Sequence, residues 1–251
     1  MLDDDLNNSR LPLIDHLAEL RRRLIFCFAG LIIAFFAFYC IADDIYNFLM
    51  RPLAQATEGQ QDRRMIFTGL HEAFLTQVRV AFFSAFSVAF PIIAIQGWRF
   101  IAPGLYKNEK KIFIFFVTAT PVLFILGASF VYYIVVPIAW EFFLGFEQPA
   151  SKGILPVQLE PKIDEYLSLI MRLILAFGIC FELPILLILL TRVGITNSRG
   201  LKQKRKYAIL VAFVIAAIVT PPDVISQVLL AIPIILLYEV SIICAGIMEK
   251  K

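Results

Sequence analysis

Long apolar segments separated by short charged links dominate this sequence and place it in the membrane. Hydrophobic residues make up 60% of the 251 residues and charged residues only 17%, whereas a soluble domain is about 45–50% apolar. A run of about 20 apolar residues is long enough to cross the hydrocarbon core as a helix. The sequence therefore predicts an all-α integral membrane protein formed by a single polytopic domain.

We predict six transmembrane helices. The predicted spans are residues 24–42, 74–97, 112–137, 166–191, 207–220 and 224–246. The fifth would be about 21 Å long, less than a hydrocarbon core of roughly 30 Å. Pro221 and Pro222 separate it from the sixth, and we interpret the two as a tight helical hairpin, with one kinked helix as the alternative. We expect the polar segments 43–68 and 147–165 to be irregular loops.

The distribution of lysine and arginine predicts the orientation. If the N-terminus is cytoplasmic, 16 of the 23 basic residues lie on that side, as expected for cytoplasmic segments. Both termini are then cytoplasmic. No cleavable signal peptide is visible and no transit peptide is indicated, which favours a bacterial inner membrane, although an organelle-encoded chain would look the same.

No enzyme or metal motif is present in the sequence. The four cysteines form no C-x-x-C pair and the two histidines, His16 and His71, lie far apart, so neither a disulfide framework nor a metal site is indicated. Phosphate-binding, serine-hydrolase and zinc-protease motifs are missing as well. We expect no cofactor, no catalytic residue and no nucleic-acid partner.

Carboxylates in or beside the membrane are the most informative residues. Glu182 interrupts an apolar run, where an ionisable group is costly and usually functional; Pro184 frees backbone groups beside it. Glu239 raises the same question, although it could reach the cytoplasmic interface. Glu19 has a plain alternative in intrahelical pairing with Arg22 and Arg23, and for Glu109 the alternative is stabilisation of a helix N-terminus.

Two polar residues lie beside the tight turn. Asp223 is explained as a helix N-cap. Gln227 is placed where its amide could hydrogen-bond to the neighbouring helix.

Four segments together resemble one family, the TatC subunits of the twin-arginine protein translocase. They are HLAELRRR (16–23), WRFIAPGLYKNEKK (98–111), FGICFELP (177–184) and TPPDVISQVLLAIPIILLYE (220–239). The resemblance extends from about Leu13 to Ile243 and therefore covers nearly the whole chain. It implies six helices in a concave arrangement, with short fifth and sixth helices.

The resemblance also implies a function. Such a subunit binds twin-arginine signal peptides at the cytoplasmic face. With single-span TatA- and TatB-type partners in a multimeric complex, it moves folded proteins across the membrane, driven by the proton-motive force. The residues matching the family's positions are Glu19, Arg21, Phe100 and Glu109 for the signal peptide, Glu182 within the membrane, Thr220, Asp223 and Gln227 for partner helices, and Pro52, Glu72 and Glu239 elsewhere.

Two other functions compete with this interpretation. In a proton-coupled solute transporter, Glu182 and Glu239 would form a proton relay. Such carriers often contain two related halves, and we find no internal repeat here. A membrane scaffold without transport activity is the third interpretation.

Overall fold

The computed structural model describes residues 2–58, 64–101, 110–148, 155, 157–220 and 224–249. Every regular element in these ranges is helical; two isolated bridges join Ile66 to Lys162 and Gln148 to Val157. The helices are α1 (Leu2–Tyr39), α2 (Ala42–Ala56), α3 (Glu72–Ile101), α4 (Lys110–Phe130), α5 (Val136–Leu144), α6 (Ile163–Cys180), α7 (Leu183–Arg192), α8 (Ser198–Gln203), α9 (Arg205–Val219) and α10 (Val224–Glu249). A π-helical turn, Val131–Val135, joins α4 to α5.

Five helical segments are long and apolar enough to cross a membrane. They are His16–Tyr39, Glu72–Gly97, Ile114–Leu144, Ile163–Arg192 and Ser226–Ile247. They overlap the first four predicted spans and the last, with different bounds. The fifth predicted span falls on α9, whose 15 residues extend over only about 22 Å. The total of six spans therefore stays a prediction.

The first predicted loop is wrong over its first part, because α2 occupies residues 42–56. Ile45, Leu49 and Leu53 follow one another at helical spacing and pack into the main core, which the sequence reading overlooked. Asp43 and Asp44 lie in the first turn, where negative charge is favoured by the helix dipole.

Pro52 lies inside α2 and removes one backbone hydrogen bond from it. Because proline has no N–H, the carbonyl oxygen of Phe48, four residues earlier, loses its usual partner. The Tyr132 hydroxyl, in the π-helical turn, donates to this oxygen at 2.6 Å, and its ring stacks on Phe48 at 4.5 Å. The Tyr166 hydroxyl of α6 donates to the next carbonyl, that of Leu49. The two tyrosine hydroxyls therefore anchor α2 to the π-helical turn and to α6.

Glycines permit a close contact between α4 and α6. A Cβ atom at Gly127 would lie 2.6 Å from the carbonyl oxygen of Phe177, and one at Gly178 would lie 2.5 Å from the Phe124 ring. Both distances are too short for any side chain, so Gly127 packs directly against the backbone of α6 and Gly178 against the Phe124 ring of α4. Phe177 is fully buried at this crossing.

We predict that Gly127→Ala destabilises the protein. The added methyl group meets a backbone oxygen that cannot rotate away, and overpacking of this kind costs about 1–3 kcal/mol. The thermal midpoint of the detergent-solubilised protein should fall. Gly30→Ala is the matched control, because a Cβ at Gly30 has no atom within 4 Å; equal midpoints for the two variants would contradict the close crossing.

We also predict that Tyr132→Phe is less harmful when Pro52 is replaced by alanine. Tyr132→Phe alone leaves the part-buried Phe48 carbonyl without a donor, at a cost of up to about 1–3 kcal/mol. In the Pro52→Ala background, the new N–H can bond to that carbonyl. A double-mutant cycle of unfolding free energies measures this coupling, and additive effects would show that Tyr132 does not compensate for the proline.

Candidate functional site

Glu19 of α1 carries an ion pair within its own helix. Arg23 donates from Nε to Glu19 Oε1 at 3.0 Å and from Nη2 to the same oxygen. The sequence analysis gave pairing with an arginine of the same helix as the alternative role of Glu19. This pair is formed, with Arg23. Both bonds reach Oε1, so Oε2 accepts no hydrogen bond from the part of the chain that the structure describes.

Arg23 also connects α1 to α3. Its Nη1 donates to both the backbone and the side-chain oxygen of Gln96, each at 3.2 Å. One guanidinium thus holds the Glu19 carboxylate and the end of α3 at the same time. Sequence reasoning missed Gln96, because its importance depends on which helix lies beside α1.

Two stacked aromatic rings join α1 and α3 at this same end. The His16 imidazole lies parallel to the Phe100 ring, with centroids 4.0 Å apart and planes inclined by 9°. Phe100 and Glu19 are therefore brought to one rim, formed by α1 and α3, which we call the α1–α3 rim. Arg21 is exposed on the same helix as Glu19. His16, which the sequence did not single out, therefore has a specific aromatic partner.

Two of the residues selected from the sequence, Glu109 and Asp223, lie outside the described residues. The pairing of Glu109 with Glu19 at one recognition surface is therefore still a prediction, and so is the N-cap role of Asp223.

Glu182 lies at the break between α6 and α7 and is only 4% exposed. The backbone N–H of Glu182 bonds to Ile179 rather than to Gly178, and Pro184 opens the next helix. Neither carboxylate oxygen has a hydrogen-bond partner among the described residues. The fully buried Thr120 side chain on α4 lies close enough to interact with this carboxylate, although the contact does not have the geometry of a good hydrogen bond. The expected interruption of the fourth span is confirmed.

Thr220 and Gln227, beside the connection between α9 and α10, both form hydrogen bonds to backbone carbonyls of α9. Gln227 Nε2 donates to the Phe213 carbonyl of α9 at 3.1 Å, which confirms the expected hydrogen bond between helices. Thr220 is buried and its hydroxyl donates to the Ala216 carbonyl. The Gln227 bond joins α9 to α10, whereas the Thr220 bond stays within the last turn of α9.

Glu239 is paired at the opposite end of the same two helices. Arg205 donates to its carboxylate at 2.7 Å, and the pair is partly exposed. The neighbouring Tyr238 hydroxyl donates to the Leu201 carbonyl of α8. A partly exposed arginine thus compensates the charge of Glu239. This pairing argues against a proton relay through Glu239.

Glu72 joins the starts of α3 and α6. Its carboxylate accepts backbone N–H groups from Thr68 at 2.8 Å, from Gly69 at 3.0 Å and from Asp164 at 3.4 Å. Arg79 forms an ion pair with Asp164 in the same cleft, whose volume is about 260 Å³. Glu72, which matches the family's acid before the second span, therefore links the residues that precede α3 to the first turn of α6.

The apolar helices and the polar groups at their ends define a multi-pass integral membrane protein. A family model described as "Sec-independent protein translocase protein (TatC)" matches residues 15–233. The chain belongs to this TatC family.

Individual relatives agree with the family model. A TatC protein from Magnetococcus marinus is 46% identical over 96% of this chain and 86% of its own length. One from Rickettsia prowazekii is 47% identical over 94% of this chain and 92% of its own. A crystal structure of a twin-arginine translocase receptor, TatC, in DDM superposes with a TM-score of 0.80 at 37% identity, covering 92% of this chain and 99% of that one.

Proposed function

We propose that this chain is the signal-peptide receptor of a twin-arginine translocase in a bacterial inner membrane. It would have six spans with both termini cytoplasmic and would itself catalyse no reaction. Together with TatA- and TatB-type partners in a multimeric complex, it would move folded proteins across the membrane, driven by the proton-motive force. The observation that carries the proposal is the Glu19 carboxylate at the α1–α3 rim. The crystal structure that superposes on this chain is that of a twin-arginine translocase receptor.

Glu19 is suited to binding an arginine of the signal peptide. A guanidinium donates two parallel hydrogen bonds to a carboxylate, which a lysine ammonium cannot reproduce. Glu19 already accepts two such bonds from Arg23 at one oxygen. Because Arg23 is itself held by Gln96, the carboxylate is fixed at the end of the helix pair with its second oxygen unused by the described residues.

Glu109 supplies the second carboxylate in this proposal. It directly precedes α4, and the link that carries it leaves α3 just after Phe100, which is at the α1–α3 rim. Two carboxylates at one rim would match two consecutive arginines.

The α9–α10 pair is proposed as the docking site for partner helices, around Thr220, Asp223 and Gln227. Large apolar side chains on the outer face of α9 are exposed, among them Leu210 and Ile218. The Gln227 amide joins α9 to α10 and would be the polar group of this docking site.

We predict that Glu19→Ala combined with Glu109→Ala abolishes crosslinking of a twin-arginine precursor, because both arginines lose their acceptors. The double variant Glu160→Ala and Glu165→Ala is the control, since it removes the same charge from exposed acids near the other end of the bundle. Both proteins should insert normally. Undiminished crosslinking to the rim variant would exclude these two acids as the arginine site.

We predict that Glu182→Ala leaves precursor docking intact and impairs deeper insertion, because the acid is buried at the break between α6 and α7 and is not part of the α1–α3 rim. Docking is measured by crosslinking at the rim and insertion by protease protection of the precursor. Glu182→Gln retains the shape of the side chain without its charge. Normal export by both variants would remove Glu182 from the mechanism.

A further inference from the structure

Arg23 already fills half of the carboxylate that the proposed function offers to a cargo arginine. It donates to Glu19 Oε1 from Nε at 3.0 Å and to the same oxygen from Nη2. A carboxylate oxygen has two lone pairs, so these two bonds use the full accepting capacity of Oε1. The second oxygen, Oε2, is the one that accepts no hydrogen bond from the described residues.

This occupation conflicts with the way in which a carboxylate recognises arginine. Two parallel bonds from an incoming guanidinium need one lone pair on each carboxylate oxygen, and Arg23 leaves only Oε2. A lysine ammonium bonds as a single point charge, for which Oε2 is sufficient. While Arg23 stays on Oε1, Glu19 therefore does not offer an arginine the geometry that distinguishes it from a lysine.

Arg23 has a second partner to which it can withdraw. Its Nη1 donates to the backbone and side-chain oxygens of Gln96 on α3, each at 3.2 Å. These bonds use a nitrogen that does not contact Glu19, so they can persist when Nε and Nη2 leave Oε1. The Glu19 side chain is 47% exposed and that of Arg23 22%, so a cargo arginine can approach the carboxylate from solvent.

The strength of the pair suits an exchange. An exposed ion pair four residues apart on a helix contributes little, because water competes for both partners. Breaking it changes an equilibrium constant by about twofold to fivefold. A cargo arginine regains this loss, since it forms two parallel bonds to the carboxylate that Arg23 has released.

We infer that Arg23 is an internal substitute for the cargo arginine, which occupies Glu19 until cargo binds and is then exchanged for it while Gln96 retains it. Arg23 thereby becomes a specificity-determining residue, because a guanidinium gains from the release of Oε1 and an ammonium does not. This inference rests on the proposed role of Glu19 as the acceptor for an arginine of the signal peptide.

The test measures the binding of two labelled synthetic signal peptides, one with Arg-Arg and a matched one with Lys-Lys. Fluorescence anisotropy reports their binding to the full-length protein in lipid nanodiscs. Arg23→Lys keeps the positive charge but holds Oε1 less firmly, because an ammonium has no planar fork of donors. The variant should bind the Arg-Arg peptide about twofold to fivefold more tightly and the Lys-Lys peptide with unchanged affinity.

Gln96→Leu should act in the opposite direction. It removes the side-chain oxygen that holds Arg23 after the exchange, so binding of the Arg-Arg peptide should weaken while that of the Lys-Lys peptide does not change. A purely structural role of the Arg23–Gln96 contact would affect both peptides equally.

Arg22→Lys is the matched control for Arg23→Lys. Arg22 is exposed on the same helix and makes no hydrogen bond to Glu19 among the described residues, so both affinities should stay unchanged. Thermal midpoints verify that the variants are folded. Unchanged or weaker binding of the Arg-Arg peptide by folded Arg23→Lys would overturn the inference, because Arg23 would then position Glu19 rather than compete for it. An equal gain for both peptides would also overturn it.

Glu19→Ala separates this inference from the proposed function. If it binds the Arg-Arg peptide normally, the proposed arginine site is wrong. If it loses binding and Arg23→Lys behaves like the unmodified protein, the site is retained and the exchange alone is refuted. In the Glu19→Ala background, Arg23→Lys should have no further effect on either peptide, because the carboxylate for which Arg23 competes has been removed.

Discussion

A proline inside a packed helix leaves a backbone carbonyl without its usual amide donor, and in α2 a side chain from another part of the bundle supplies the missing donor. Pro52 removes a hydrogen bond from α2, and the Tyr132 hydroxyl replaces it. The π-helical turn that carries Tyr132 is an irregularity in a second helix. The two defects are therefore paired, and the bond between them joins separate parts of the bundle.

The polar contacts between helices are concentrated at helix ends, and most of them join segments far apart in the sequence. Arg23 and Gln96 connect α1 with α3, Glu72 connects the starts of α3 and α6, and Glu249 fixes α8 to α10. Each ion or amide lies where water or head groups can complete its solvation. Glu182 is the exception, since it is buried at a helix break, and this contrast is why it is assigned a role different from that of the acids at the rim.

The apolar pattern predicted the fold class and five of the membrane segments, because a span is a local property of about 20 residues. It missed α2, whose apolar stripe is interrupted by charged residues and a proline and so resembled a loop. The sequence also identified Glu19 and Glu182 as unusual, but it could not find Gln96 or the stack of His16 on Phe100. Both contacts depend on which helices are neighbours, and the pairing of helices cannot be inferred from a single sequence.

The span of α1, His16–Tyr39, has none of its most apolar window buried inside the protein, and its main neighbour is α3. Because α1 precedes α3 in the chain, it is synthesised before this neighbour. Its Glu19–Arg23 pair, however, spans only four residues and needs no other helix. The carboxylate proposed to receive the cargo's arginine can therefore be neutralised from the moment its own helix forms, and the arrival of α3 adds only the anchor at Gln96.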